Sequence, residues 1–346
     1  MSDDHVELSW ADITSRLLAG EDLSADDAAT AMTAIMRGEA SDVQIAGFLV
    51  ALRAKGETSA EIAGLVRTMR QFAVRVSVQH PTVDTCGTGG DRSGTFNIST
   101  VSAVVAAGAG ARVAKHGNRA ASGRCGSADL LEAWGVAISL PPDAVSRCID
   151  EIGIGFCFAP AYHPAMRHVM PARRGLAVPT VFNVLGPLTN PAGAPHQTVG
   201  VSSPDMAERM AYVLAQLDTA HALVFHGAHG LDELTTTGPS RVWEVRRTQV
   251  DAYDIDPSDL GIARASLDDL RGGDVGTNRA VADAVLEGKP GPTRDVVLLG
   301  TAAALYAADL VDDLPAGVEA AAVSIDSGAA RDVLDRWVTL STRLAA

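Results

Sequence analysis

Only four of the 346 residues are cysteine: Cys86, Cys125, Cys148 and Cys157. They form no CxxC pair and no zinc spacing, which speaks against a disulfide framework or a structural zinc site and for reduced thiols in a cytosolic protein. Aromatic residues make up 4% of the chain, so the core must rest mainly on Ala, Val, Leu and Ile. Basic residues are scarce too, 28 Lys and Arg against 42 Asp and Glu, a net charge of −14. That balance argues against non-specific nucleic-acid binding and against anchoring to anionic lipid. An anionic ligand therefore needs a local pocket, because the global field repels it. No apolar run is long enough to span a bilayer, and the acidic opening MSDDHVELSW lacks the apolar stretch of a secretory signal. The expectation is a cytoplasmic protein without nucleic-acid or membrane partners. What the chain does have is length for one large domain with a smaller one attached, and an apolar content of 47%.

The most informative stretch runs from Val83 to Thr100. Val83-Asp84-Thr85-Cys86 reads as a strand, Gly87-Thr88-Gly89-Gly90-Asp91 as a glycine turn, and the Ala/Val-rich segment after Thr95-Phe96-Asn97-Ile98-Ser99-Thr100 as a helix. Strand, glycine loop and helix start together aim free backbone N–H groups and a positive dipole end at a phosphate. Three glycines among four residues let the backbone approach an anion closely. Asn97, Ser99 and Thr100 add short side-chain donors. A ligand-free strand-to-helix turn has the same local signature. The phosphate reading gains ground only because polar residues accumulate further along.

Residues 1–75 read as an N-terminal helical domain. Ser9, Ser24, Ser41 and Thr58 each precede a helical pattern, and Ser41–Gln44 and Thr58–Glu61 fit capping boxes. Gly20, Gly38 and Gly56 sit where helices should stop. Val43, Ile45, Ala46, Leu49, Val50 and Leu52 form a wide apolar face that must meet the main body or another subunit, so this unit is expected to be structural or dimer-forming. Residues 76–346 alternate strands with helices, which predicts an α/β fold with a mostly parallel central sheet. The expected strands are TVDTC, ARVAK, GFCFA, TVGV, HALVF and RVWEV.

Ligands in such sheets gather at the carboxyl ends of strands. The ARVAK strand ends in Lys115-His116-Gly117-Asn118-Arg119, followed by Ala120-Ala121-Ser122-Gly123-Arg124-Cys125-Gly126-Ser127. Lys115 could neutralise phosphate charge and Asn118 could orient a neutral or aromatic group. Arg119 suits a ligand contact or an internal ion pair equally, and His116 alone is more often structural. The segment Ser122 to Ser127 precedes a helix and could cradle another anion. The fork of Arg173 suits a carboxylate. Asp232-Glu233, after the HALVF strand, suits Mg²⁺ carrying a phosphorylated ligand, or else is a solvated acidic turn.

Taken together, GTGGD at 87–91, TFNIST at 95–100, KHGNR at 115–119, GSADLLEAWG at 126–135, HPAMRHV at 163–169, VFNVLGPLTNPA at 181–192 and GLDELTTT at 230–237 closely resemble the anthranilate phosphoribosyltransferase family, in the family's order. The resemblance implies a small helical domain joined to a larger α/β domain, usually dimerised through the helical part. It implies that phosphoribosyl pyrophosphate lies on Gly87, Gly90, Asp91, Thr95, Asn97, Ile98, Ser99, Thr100 and the loop Lys115, His116, Gly117, Asn118, Arg119, Ala120, Ala121, Ser122, Gly123, with Ser127 nearby. Ser99, Asp232 and Glu233 match the family's Mg²⁺ residues. Asn118 and Arg173 match its anthranilate contacts, with His163 and Met166 lining the approach. Two departures bear on phosphate affinity: Gly123 and Cys125 stand where such enzymes commonly carry serine, and Arg92 where glycine is common.

The reaction so implied moves a phosphoribosyl group to the amine of anthranilate and releases pyrophosphate, in tryptophan biosynthesis. No residue is singled out for acid or base work; Lys115, Asn118, Asp232 and Glu233 are expected to act by charge and position. Pyrimidine nucleoside phosphorylase, which shares this architecture, and a non-catalytic nucleic-acid-binding relative are the alternatives. The intact GTGGD, NIST and DE segments and the net charge of −14 weigh against them.

Overall fold

The computed structural model describes residues 9–120 and 124–346; Ala121, Ser122 and Gly123 of the expected phosphate loop lie outside the described residues. In chain order the helices are α1 (Trp10–Leu18), α2 (Ala25–Arg37), α3 (Asp42–Lys55), α4 (Ser59–Phe72), α5 (Ile98–Gly108), α6 (Ser127–Trp134), α7 (Pro142–Ile152), α8 (Ala159–Tyr162), α9 (Met170–Leu176), α10 (Phe182–Leu185), α11 (Pro204–Leu214), α12 (Val275–Leu286), α13 (Pro292–Ala307), α14 (Leu314–Asp326) and α15 (Ala329–Ala345). The chain divides into two compact units: Met1–Ala73 with His163–Thr189, and Val74–Tyr162 with Asn190–Ala346.

In the helical unit, Ser9, Ser24, Ser41 and Thr58 all serve as N-caps, each side chain accepting an amide of the first turn. Such a cap contributes about 1 kcal/mol. Ile35, Ile45, Phe48, Leu49, Ile62 and Leu65 are fully buried between these helices. Val43 and Val50 on α3 and Leu18 on α1 stay exposed. Glu61 is wholly buried as well, its carboxylate accepting from the Leu23 amide at 2.9 Å, the Thr58 amide at 2.8 Å and Lys55 Nζ at 3.0 Å. A single boundary after residue 75 assigns 163–189 to the α/β part, but in the structure this segment returns to the helices. Burial of Val169, Ala172, Phe182 and Leu185 holds it there, and Arg70 Nε of α4 donates to the Leu188 carbonyl at 2.8 Å. The His168 ring covers Gly38, where a Cβ would meet it at 2.7 Å.

The other unit is built on a sheet of seven strands among the described residues, in the order β3-β2-β1-β4-β5-β6-β7. Strands β1 (Val83–Gly87), β2 (Val113–Gly117), β3 (Ile154–Phe158), β4 (His196–Gly200) and β5 (His221–His226) are parallel, whereas β6 (Ser240–Arg246) and β7 (Gln249–Ile255) run antiparallel. The parallel strands are buried almost end to end, as expected where helices cover both faces. Helix α5 is the central one: Ile98, Val101, Val104 and Val105 have no exposure. Gly300 lets α13 lie close against it, since a Cβ there would meet Ser102 Oγ at 2.7 Å. Strand β7 escapes the sequence pattern because it is an edge strand with most of its side chains in solvent. Asp313 caps α14 by accepting the Ala316 amide at 2.8 Å.

Candidate active site

β1 and β5 are separated only by β4, so the turns following them meet at one edge of the sheet. Gly200, which ends β4, makes room: a Cβ there would collide with the Asp232 carbonyl. The acids after β5 are thereby carried over the strand ends. Asp232 Oδ2 accepts the Gly89 amide of the glycine loop at 2.6 Å, and Glu233 Oε1 accepts the Ser99 amide in the first turn of α5 at 3.1 Å. This resolves the Asp-Glu pair: it is a seated pair and not a solvated turn. It also alters the expected use of the helix start. The Ile98 and Thr100 amides donate to Phe96 and Asn97 carbonyls, and the Ser99 amide is taken by Glu233, so an anion there meets side-chain donors before these backbone ones. Ile98 and Thr100 are buried, and Asn97 makes no side-chain cap bond.

The electrostatics follow from this crowding. Burial raises the Asp232 pKa, as does the charge of Asp91, against the opposing bond from Gly89. Burial raises Glu233 likewise, with the charge of Asp232, against Lys115 and the Ser99 amide. Asp91 folds back on its own loop, accepting from Ser93 Oγ at 2.6 Å, with Thr95 Oγ1 3.2 Å from that hydroxyl. Lys115 is buried, its Nζ donating to the Thr85 carbonyl at 2.5 Å. Burial pulls its pKa down, opposed by Asp84, Cys86 and Glu233. The positive charge of Lys115 in turn favours the ionised form of Glu233. Asp84, also buried, accepts the His116 amide at 3.0 Å and Asn190 Nδ2 at 2.8 Å, which gives His116 a structural place.

The described residues on either side of the loop after β2 are tied to Asp129, a residue that sequence reasoning missed as an organiser. Its carboxylate accepts the Ala120 amide at 3.2 Å and the Gly126 amide at 2.8 Å. The three-residue spacing of Gly126 and Asp129, a capping box, is the signal that was available. Arg119 resolves as an ion-paired residue, bonding Asp129 at 3.0 Å and both oxygens of Glu132 at 2.5 and 2.8 Å. Ser127 Oγ donates to the Asn118 carbonyl at 3.1 Å, and Gly117 admits it, because a Cβ there would strike that hydroxyl. Asn118 is exposed. Gly87 and Gly90 lie in the glycine loop, Gly90 with φ +84°. Arg92 takes φ +57°, a left-handed conformation that costs a side-chain-bearing residue about 1–2 kcal/mol.

His163, Met166 and Arg173 belong to the helical unit, whereas the residues above belong to the α/β unit. His163 is buried, and burial lowers its pKa to about 4, so it is neutral at physiological pH. Met166 is half-buried. The Arg173 guanidinium stands 5.7 Å from the Phe182 ring centre, a cation–π contact, with its pKa lowered by burial.

Among the described residues no group of three or more His, Cys, Asp or Glu has the arrangement of a protein-only metal cage. The donor set nevertheless fits Mg²⁺. Asp232 and Glu233 are hard oxygen ligands driven toward protonation by burial and by neighbouring negative charge, a condition that a cation relieves. Mg²⁺ ordinarily takes one or two carboxylates and completes its shell with water and substrate phosphate.

Residues 11–73 match the helical bundle domain of the glycosyl transferase family and residues 79–331 its a/b domain. The anthranilate phosphoribosyltransferase of Symbiobacterium thermophilum is 54% identical over 328 residues, 94% of this chain and 96% of the relative. The chain belongs to the anthranilate phosphoribosyltransferase family. That of Moorella thermoacetica is 53% identical over 94% of this chain and 96% of its own. The crystal structure of the Thermus thermophilus anthranilate phosphoribosyltransferase matches with a TM-score of 0.91 at 46% identity, covering 96% of this chain and 99% of that one. The Saccharomyces cerevisiae enzyme in complex with PRPP (phosphoribosyl pyrophosphate) and Mg matches with a TM-score of 0.89 at 27% identity, covering 97% and 99%. Family membership makes this chain a glycosyltransferase, with the helical and α/β parts expected of it, and favours the transferase over the phosphorylase and nucleic-acid-binding readings. Among the described residues no helix is long and apolar enough to cross a membrane.

Proposed function

We propose that this enzyme transfers the phosphoribosyl group of phosphoribosyl pyrophosphate to the amine of anthranilate, giving N-(5-phosphoribosyl)anthranilate and pyrophosphate in cytoplasmic tryptophan biosynthesis. The carrying observation is the seating of Asp232 and Glu233 on the Gly89 and Ser99 amides, which joins the acids after β5 to the glycine loop and the start of α5. In this reading the sugar diphosphate occupies Gly87, Gly90, Asp91, Thr95, the Asn97–Thr100 turn, the loop after Lys115 and Ser127. Asn118 and Arg173 bind anthranilate, and His163 and Met166 line its approach. Asp232, Glu233 and Ser99 are the residues that would hold Mg²⁺, which when bound neutralises charge on the departing pyrophosphate.

The chain's own groups have two tasks. Oriented amides and hydroxyls stabilise the leaving group while C1 of the ribose becomes oxocarbenium-like. The aromatic amine is a neutral nucleophile, so placing it contributes more than a strong base. That suits a site in which His163 is kept uncharged and Arg173 supplies the fixed cation for a carboxylate. A homodimer formed through the helical unit is part of the proposal, supported by the exposed Leu18, Val43 and Val50. The test follows loss of anthranilate fluorescence with phosphoribosyl pyrophosphate and varied Mg²⁺. Wild type is expected to turn over, and the double variant Asp232→Ala, Glu233→Ala to lose its Mg²⁺ response. Unchanged turnover in that variant would remove the role given to the two acids.

A further inference from the structure

Asn97 stands immediately before α5 but its side chain caps nothing there; it is held from two other directions. Asn278 of α12, 2% exposed, donates through Nδ2 to Asn97 Oδ1 at 2.9 Å. The Cys125 thiol donates to the same oxygen at 3.2 Å. Asn97 Nδ2 in turn donates to the Cys125 carbonyl at 3.1 Å, and Asn278 Oδ1 accepts the Gly273 amide at 2.7 Å.

Backbone groups at both ends of this chain of bonds leave one arrangement. The Gly273 N–H can only donate, so the atom of Asn278 facing it is oxygen and its NH₂ faces Asn97. The Asn97 atom meeting that NH₂ is then oxygen. The Cys125 carbonyl, which can only accept, demands the same orientation from the opposite side. A carboxamide carries two N–H donors. One goes to Cys125, and among the described residues the second is not taken up.

We propose that Asn278 and Cys125 are positioning residues for the transfer reaction: they lock the Asn97 amide so that its remaining N–H, not its carbonyl, is presented to the diphosphate of the sugar substrate at the start of α5. The proposal rests on the function given above. It assigns a purpose to the thiol at position 125, which does what a serine hydroxyl would do, donating to Asn97 Oδ1. Burial keeps that thiol protonated at neutral pH, with its pKa pushed up to about 11. In Asn278→Asp the carboxylate still accepts from Gly273 but turns an acceptor toward Asn97. The Asn97 amide then either loses its bond to position 278, and with it the lock, or flips against the Cys125 carbonyl and presents its own carbonyl to the anion; both weaken the donor offered to the ligand.

The test is calorimetric titration of pyrophosphate and of phosphoribosyl pyrophosphate, each with Mg²⁺, into wild type, Asn278→Asp, Asn278→Ala and Cys125→Ser. It is paired with KM for each substrate and with thermal midpoints. Asn278→Asp is expected to weaken both ligands about tenfold or more, the scale of one lost charge-assisted hydrogen bond. Asn278→Ala, which removes the donor without adding charge, should weaken them about threefold, and Cys125→Ser should stay within about twofold. KM for anthranilate should not move. Wild-type affinity in both Asn278 variants overturns the inference, as does an equal rise in KM for both substrates, which marks a merely structural role. If Asn278→Asp does not fold, Asn278→Ala decides alone. A wild type that binds neither phosphorylated ligand refutes the proposed function instead.

Discussion

Replacing Gly87 with alanine asks whether the glycine loop and the acids after β5 work as one unit. Gly87 is not among the glycines with positive φ, so alanine brings no backbone strain. The cost is steric. A Cβ would stand 2.5 Å from Asp232 Oδ2 and 3.1 Å from its Cγ, where ordinary contact begins at 3.4 Å. The carboxylate must retreat by about 1 Å, since separations well inside van der Waals contact are repulsive. That retreat lengthens the 2.6 Å bond to the Gly89 amide beyond useful range. A hydrogen bond to a charged acceptor is worth about 1.5–3 kcal/mol, or about 10- to 150-fold in an equilibrium. The assay is the Mg²⁺ dependence of anthranilate consumption. The Mg²⁺ concentration for half-maximal rate should rise about tenfold or more, with KM for anthranilate unchanged. Gly90→Ala is the comparison, because its φ of +84° is strained for alanine but nothing lies within 4 Å of a Cβ there. It should lose about 1–2 kcal/mol of stability with a smaller change in the Mg²⁺ curve. A wild-type Mg²⁺ curve for Gly87→Ala refutes the coupling.

Two further outcomes concern stability. Glu61→Ala leaves the Leu23 and Thr58 amides without their acceptor, while Lys55 Nζ keeps Asp22 and the Gly56 carbonyl, and urea unfolding should show a loss of about 2–4 kcal/mol from the stranded amides. Burial would raise the Glu244 pKa, but hydrogen bonds from His221, Tyr253 and Arg246 outweigh it and hold the carboxyl down to about 2. A folded pKa below the unfolded one stabilises above the unfolded value and is lost as pH falls through the folded value, so the advantage of wild type over Glu244→Gln, about 3 kcal/mol at pH 6, should fall to less than half by about pH 3 in urea titrations.

The elements that were legible in the sequence are those with local causes. Ser9, Ser24, Ser41 and Thr58 cap helices through their own side chains, and all four mark true starts. The strand, glycine loop and helix at 83–108 were legible for the same reason, as was the gathering of polar loops at strand ends. The return of 163–189 to the helical unit was not, because Arg70 and Leu188 are 118 residues apart and neither carries a local mark of the other. Asn278 escaped likewise, meeting Asn97 across 181 residues. Arg119 shows the limit differently. Its sequence context gave a cation beside a phosphate loop, and only the fold supplied Asp129 and Glu132 as its partners.

The same partnerships explain how a chain of net charge −14 can be built to hold a polyanion. Of the cations expected to attract phosphate, Lys115 is sealed on the Thr85 carbonyl and Arg119 is committed to two acids. Asp91, Asp232 and Glu233 meanwhile crowd the glycine loop. Two unit charges 4 Å apart interact by about 4 kcal/mol at an effective dielectric constant of 20, so each of these acids that is ionised repels a bare diphosphate. Binding must then draw on uncharged donors, the loop amides, hydroxyls and the Asn97 amide, and on a divalent cation shared between the acids and the ligand. An uncharged donor works only if the correct end of its dipole faces the anion. That is why buried residues given no ligand contact, such as Asn278 and the Gly200 beneath Asp232, carry weight in this site.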